Sequence, residues 1–288
     1  MLKTEEKLKD EINVKDRLEN PKLVIIFCTK NSETTIENAI SNARQSKYDP
    51  DIIVVDGFST DNTIKIAERL ERTTVIQQPL KKYPGKGIAM RAGLEEALHG
   101  KYSNKKNNLD NANKDNTKSH NRYDLALFLD SDIKNLSRDW VDLLVVPILE
   151  EGYDMTRGYY DRHPRDGAVT KLIARPMLEV FFPEARQFKQ PLSGEVCAAM
   201  KVWDKLIEHN NRSQTPDGWG IDIWFLIETL MSGFKIKEVY MGFKDHTSLD
   251  TYREEVGNLR IMAEQVSFTV LNEAVKYNRL DNCRNVEL

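Results

Sequence analysis

The chain has 288 residues, 40% of them hydrophobic, enough to bury the core of one large domain or two small ones. Its 42 basic and 45 acidic residues leave a formal charge of −3, so no global positive field draws it to nucleic acid, and any anionic ligand has to be held locally. Cys28, Cys197 and Cys283 lack metal or disulfide spacing, the charged leader Met1 to Asn20 lacks an apolar core, and no later run approaches the roughly 20 apolar residues of a membrane span; a cytoplasmic protein is expected.

After the leader, Leu23-Val-Ile-Ile-Phe-Cys28 has the continuous β-branched character of a buried parallel strand. Ser32, Thr34 and Thr35 supply capping hydroxyls for a helix carrying Ile36, Ala39, Ile40 and Ala43 at helical spacing. Ile52 to Val55 predicts a second strand, and Ile64, Ile66, Ala67 and Leu70 a second helix. Thr74 to Gln77 follows as a third strand and Gly87 to His99 as a third helix. From Lys101 to Arg122 the chain turns polar and low in complexity, which predicts a mobile surface insertion. Leu125 to Leu129 is again a buried strand. Beyond it the pattern predicts a helix around Trp140 to Leu149, a strand at Tyr153 to Tyr160 and a helix around Thr170 to Phe182. The turn Gln190 to Glu195 comes next, then a helix from Ile221 to Met231, a strand at Ile236 to Tyr240 and a long closing helix from Thr251 to Tyr277. Strands alternating with helices imply an α/β fold with a mainly parallel, doubly wound sheet and ligands at the carboxyl ends of its strands.

Four segments just after strands then fall where a site belongs, and two further candidates follow. Asp130-Ser-Asp132 ends the strand Leu125 to Leu129; residues two apart in an extended chain point to one side, so both carboxylates can share a hard divalent cation, with an acidic turn as the plain alternative. Asp49-Pro-Asp51 repeats the spacing by chance, at the wrong end of its strand. Thr29, Lys30 and Glu33 after the first strand, and Asp56 and Ser59 after the second, suit a base or ribose edge or an ordinary capped turn. Pro84-Gly-Lys86-Gly87 has glycines that permit close backbone approach and an ammonium suited to a diphosphate, without the spacing of an ATP-hydrolysing loop. His246, in a polar loop, is a candidate third metal ligand or a solvated side chain. Arg157, Arg162 and Arg165, with Thr170, form a basic segment suited to a small carboxylate or phosphate.

Taken together, Pro84-Gly-Lys-Gly, Leu129-Asp-Ser-Asp-Ile, Ala174-Arg-Pro-Met-Leu, Gln190-Pro-Leu-Ser-Gly-Glu and Gly218-Trp-Gly-Ile-Asp resemble the retaining GT-A glycosyltransferases that make glucosyl-3-phosphoglycerate and mannosylglycerate. The likeness runs in order from about Leu23 to His246. It implies a GT-A (Rossmann-like) fold with a nucleotide-sugar-binding half at 21–133, an acceptor-binding half at 134–250 and a C-terminal helix and tail at 251–288. It implies Mg2+ or Mn2+ as cofactor, a nucleoside diphosphate sugar (GDP- or UDP-linked) as donor, and glycerate or 3-phosphoglycerate as acceptor. By the same resemblance Lys86 contacts the diphosphate, Asp130 and Asp132 the ribose and metal, and His246 the metal. Leu192 presents its carbonyl near the anomeric carbon, Asp222 meets the sugar hydroxyls or serves as an N-terminal helix acid, and Glu195 is a base or a structural turn carboxylate.

The acceptor segment Gly167-Ala-Val169-Thr170 departs from the Gly-Arg-Val-Thr of the phosphoglycerate enzymes, which weakens the case for a phosphorylated acceptor. The Q-x-x-R-W signature of inverting family-2 enzymes is absent. An inverting transferase acting on a polyprenyl phosphate, and a non-catalytic nucleotide-sugar-binding protein, are the competing readings; a homodimer stays open.

Overall fold

A computed structural model describes residues 20–79, 85–102, 123–164, 166–208, 215–247 and 252–281, with side chains from 258 onward in the last segment. The leader, the insertion from 103 to 122, Pro84, Arg165 and Cys283 lie outside the described residues.

Seven strands form one sheet: β1 (Leu23–Thr29), β2 (Asp51–Asp56), β3 (Thr73–Gln77), β4 (Leu125–Asp130), β5 (Met155–Asp161), β6 (Val196–Ala199) and β7 (Ile236–Phe243), in the order β3-β2-β1-β4-β6-β5-β7. β6 is antiparallel to both its neighbours, and every other pair is parallel. The helices are α1 (Ile36–Arg44), α2 (Thr63–Ala67), α3 (Lys86–His99), α4 (Arg138–Glu150), α5 (Arg175–Phe181), α6 (Met200–Glu208), α7 (Ile221–Met231) and α8 (Tyr252–Lys276). The expected mainly parallel α/β sheet is present. β6 and α6 are the elements the sequence pattern does not predict: four residues of strand run directly into the helix, with no polar break between them.

Period-two alternation explains why the central strands are apolar throughout. Val24, Ile26, Ile53, Val55, Ala126 and Phe128 face α3, α6 and α7, where Trp203, Trp224 and Phe225 fill the core. Ile25, Phe27, Val54, Leu127 and Leu129 face α1 and α4, against Ile36, Ile40, Trp140 and Leu144. Trp203 meets Phe128 edge-on at 5.4 Å between ring centroids, and its Nε1 donates to the Ala126 carbonyl at 3.0 Å. A third cluster joins α5, α7 and α8 through Leu178, Ile223, Ile227, Val266 and Val270. The hydroxyls expected to cap α1 do not do so: its N-terminus makes no side-chain cap, and Ser32 Oγ bonds Ser131 Oγ at 3.0 Å instead.

This topology gathers the strand ends. Thr29 is in register with Asp56, and Cys28 with Asp130. Because β6 runs backwards beside β4, with Phe128 opposite Val196, the turn before β6 arrives at the carboxyl end of β4. β7 runs parallel to β5, so the chain after Phe243 emerges at the same edge, where an isolated bridge sets His246 beside Ile133.

The third cluster also buries a carboxylate pair. Glu228 on α7 accepts from Lys276 Nζ at 2.6 Å and Tyr277 Oη at 2.8 Å, while Glu273 Oε2 has no hydrogen-bond partner. Burial and the neighbouring Glu228 push the Glu273 carboxyl up to about 8. The folded chain therefore keeps a proton that the unfolded chain releases above the ordinary carboxylate range, so this group makes stability fall as pH rises from about 4.5 to about 8. Glu273→Gln is expected to flatten that part of the profile and raise stability at pH 8 by roughly 1–3 kcal/mol, as read from urea unfolding at pH 5 and pH 8.

Candidate active site

The first two loops brace each other. Asn31 N donates to Ser59 Oγ at 2.9 Å, Thr60 N to Asn31 Oδ1 at 2.8 Å, Asn62 N to Glu33 Oε2 at 3.0 Å and Glu33 N to Asp61 Oδ2 at 3.1 Å. Asp56 is buried and accepts from Phe58 N and Ser59 N, and its second neighbour Gln77 Nε2 donates to its carboxylate at 3.1 Å. Thr29 is buried and takes a bond from Ser131 Oγ. Thr29, Glu33, Asp56 and Ser59, expected to face the donor, are thus engaged in holding the loops. Lys30 is exposed at the rim.

The centre of the site is a cluster of buried charges at the end of β4. Lys86, in the first turn of α3, reaches Asp222 Oδ2 at 2.9 Å and Asp130 Oδ1 at 3.4 Å. Lys244, just past β7, reaches Asp130 Oδ2 at 2.8 Å and Glu195 Oε1 at 2.7 Å, with Tyr160 Oη at 3.4 Å. Two ammonium groups therefore serve three carboxylates. Burial works against ionisation of Asp130, but Lys244 and Lys86 hold its carboxyl well below the usual range. Asp222 is the opposite case: burial pushes its carboxyl up, opposed by Lys86, and its Oδ1 has no hydrogen-bond partner.

The glycines belong to this packing. A Cβ on Gly85 would lie 2.2 Å from the Asp217 carbonyl oxygen, and one on Gly87 2.0 Å from that of Pro216. The close backbone approach expected of them is to the chain's own carbonyls, at Pro216 and Asp217. Gly194 has the equivalent role beside Asp130, whose Oδ1 lies 2.5 Å from where a Cβ would stand.

Arg157 corrects an expectation. The side chain expected to meet the acceptor is 0% exposed, and its Nη2 donates to the carbonyls of Pro191, Ser193 and Asp222 at 3.0, 3.2 and 3.1 Å. It ties the turn carrying Leu192 to the first turn of α7. Glu238 fixes the same turn from the other side, accepting from Lys189 N and Gln190 N at 2.7 Å each. The Leu192 side chain is buried in the third core cluster. Glu195 is fully buried and salt-bridged, matching a turn carboxylate rather than an exposed base. In the acceptor segment Val169 is core and Thr170 is buried at the start of a π-helical turn, Thr170–Ala174. Arg162 is paired with Asp166 at 3.2 Å and with Tyr160 Oη at 2.7 Å.

Asp130 and Asp132 have different partners. Among the described residues no group of three His, Cys, Asp or Glu side chains converges on a metal position, and Asp130 is committed to its two lysines. Asp132 instead faces His246, with Oδ2 3.7 Å from Nδ1. One carboxylate and one imidazole at that separation fit Mg2+ or Mn2+, which binds through one or two protein ligands and completes its shell with phosphate oxygens and water. Burial resists charging of His246, but the hydrogen bonds of its ring to Asp132 and Asp166 push it up to about 9. Lys244, Tyr160 and Asp166 escape sequence reasoning. Lys244 stands two residues before His246, but only the strand register of β7 shows that it turns inward.

A family model described as "Mannosylglycerate synthase, GT domain" matches residues 25–270. The glucosyl-3-phosphoglycerate synthase of Petrotoga mobilis is 28% identical over 96% of this chain and 80% of its own, and the mannosylglycerate synthase of Rhodothermus marinus is 24% identical over 76% and 53%. The crystal structure of Mycobacterium tuberculosis glucosyl-3-phosphoglycerate synthase with Mn2+, UDP-glucose and phosphoglyceric acid superposes with a TM-score of 0.67 at 26% identity, covering 91% of this chain and 82% of that one. Another structure of that enzyme holds Mg2+ and UDP. With a strand order that brings the DSD turn, the two lysines and His246 to one sheet edge, and a family match across most of its length, the chain belongs to the mannosylglycerate synthase family of GT-A glycosyltransferases.

Proposed function

We propose that this chain transfers glucose or mannose, with retention of anomeric configuration, from a nucleoside diphosphate sugar to a hydroxyl of D-glycerate or 3-phosphoglycerate, and that UDP-glucose is the first donor to test. The observation that carries the reading is the buried cluster of Lys86, Lys244, Asp130, Asp222 and Glu195 beside the Asp132–His246 pair, at the carboxyl edge where a GT-A fold takes its donor. Crystal structures of the Mycobacterium tuberculosis relative, which hold Mn2+ and phosphoglyceric acid with UDP-glucose or UDP, support the same substrate class.

In this reading Lys86 faces the diphosphate and takes up the negative charge that grows as the nucleotide departs. A cation held by Asp132 and His246 would supply further charge stabilisation to the same diphosphate. Asp222 Oδ1, buried and without a partner, is suited to accept from a sugar hydroxyl, and Arg157 with Glu238 fixes the Leu192 turn against the sugar. The acceptor hydroxyl attacks from the departing side, and a departing phosphate oxygen takes its proton, so no dedicated carboxylate base is needed. Glu195 is not assigned that role because Lys244 already neutralises it.

The acceptor is argued from the lost arginine. With alanine at 168, Arg157 bonded to backbone carbonyls and Arg162 paired to Asp166, the segment lacks the arginine that the phosphoglycerate enzymes carry there and has two of its own arginines already engaged. Ala168→Arg is expected to raise the ratio of kcat/KM for 3-phosphoglycerate over D-glycerate roughly tenfold, about the effect of one charge-assisted hydrogen bond; an unchanged ratio removes the argument. The whole reading is tested by incubating protein with Mn2+, UDP- or GDP-linked glucose or mannose and either acceptor, and detecting product by mass spectrometry. Glycosylated glycerate or phosphoglycerate is the expected product, and EDTA is expected to lower its formation by roughly 100-fold or more, restored by Mn2+. Product formation with a polyprenyl phosphate and with none of these acceptors would favour the competing transferase.

A further inference from the structure

Asp166 lies in the loop that leads into the acceptor segment, and its carboxylate faces the imidazole of His246. Oδ2 is 3.0 Å from His246 Nε2, while His246 Nδ1 on the opposite edge of the ring faces Asp132 Oδ2 at 3.7 Å. The carboxylate is itself fixed by three further contacts: Gly167 N donates to Oδ1 at 2.6 Å, and Arg162 Nη1 donates to both oxygens at 3.2 Å. Arg162 is anchored in turn, with Nη2 on Tyr160 Oη and its guanidinium 4.6 Å from the centre of the Tyr160 ring. Asp166 is therefore a clamped acceptor and not a mobile surface acid; its side chain is 14% exposed.

Arg162 Nη1 and Gly167 N both donate to this carboxylate, which is therefore an acceptor, and His246 Nε2 is the donor in its pair with it. With Nε2–H held by Asp166, the proton a cation would displace from the ring is the one on Nδ1, on the edge that faces Asp132.

We propose that Asp166 is a positioning residue for the metal site: by holding Nε2–H it orients the His246 ring so that Nδ1 and Asp132 address one cation, and it joins that cation to the loop bearing Gly167 to Thr170. This rests on the reading of Asp132 and His246 as ligands. A carboxylate behind a ligating histidine fixes ring orientation and tautomer and raises ligand basicity, and removing such a partner typically weakens metal binding roughly 10- to 100-fold. The arrangement also makes the acceptor loop and the cation interdependent, because Asp166 belongs to the loop through Arg162 and Gly167 and to the metal pair through His246.

The test is Mn2+ binding in the presence of UDP, followed by loss of the free-ion signal in electron paramagnetic resonance, for wild type, Asp166→Ala, Asp166→Asn and His246→Ala. Asp166→Ala is expected to weaken Mn2+ by roughly 10- to 100-fold. Asp166→Asn, which keeps an acceptor without the charge, is expected to fall between it and wild type. UDP binding without metal should stay at the wild-type level in both. The second readout is the 15N spectrum of the His246 ring with Mg2+ and UDP, assigned by its absence in His246→Ala: wild type should show a single Nε2–H tautomer, and Asp166→Asn a tautomer mixture. Mn2+ affinity within twofold of wild type in Asp166→Ala overturns the proposal; should that variant fail to fold, unchanged Mn2+ affinity and an unchanged tautomer in Asp166→Asn do so. Failure of the wild-type chain to take up Mn2+ with UDP overturns the ligand reading itself, and the proposal with it.

Discussion

The structure depends on the pairing of buried charge at the end of β4. Asp222 and Glu195 are fully buried and Asp130 is half-buried beside them, and each is held by an ammonium group delivered from a distant part of the chain, Lys86 from α3 and Lys244 from the end of β7. Removing one partner of such a pair leaves an uncompensated charge and costs roughly 3–5 kcal/mol. Natural proteins carry that liability where the charges have work to do. Three carboxylates face two lysines, and Asp222 Oδ1 has no hydrogen-bond partner.

The sheet topology exists in service of that cluster. The antiparallel insertion of β6 between β4 and β5 brings Gly194 and Glu195 against Asp130, and a glycine is required there because a Cβ would overlap the carboxylate. Parallel β7 then returns Lys244 and His246 to the same edge. Arg157, fully buried and bonded to three carbonyls, ties the turn before β6 to α7, so that Leu192 and Asp222 are set by one guanidinium. Specific positions thus come from backbone register, and the side chains that maintain it are as buried as the core.

Much of this was legible in the chain. Apolar strands with helical spacing between them identify the parallel half, because burial on both faces of a strand leaves a continuous β-branched run. Asp130 and Lys86 drew notice because one ends an apolar run and the other stands between glycines, whereas His246 was only a candidate in a polar loop and Asp222 came from the resemblance. β6 and α6 were not, since Val196 to Glu208 reads as one stretch with no punctuation. The inward turn of Lys244 was equally hidden: a lysine in a polar loop looks solvated until strand pairing decides its side. The same lack of tertiary context misplaced Arg157, where the residue type suited an anion but the register buried it. Local chemistry was readable where it depended on residue type, and failed where it depended on which segment packs alongside.

The most direct test of the account is a crystal structure with UDP and Mn2+. The account predicts the diphosphate beside Lys86 and the cation on Asp132 and His246, with Asp130 still bound to Lys244. A cation seated on Asp130 with the lysines displaced, or a nucleotide bound away from the β4 edge, would contradict it.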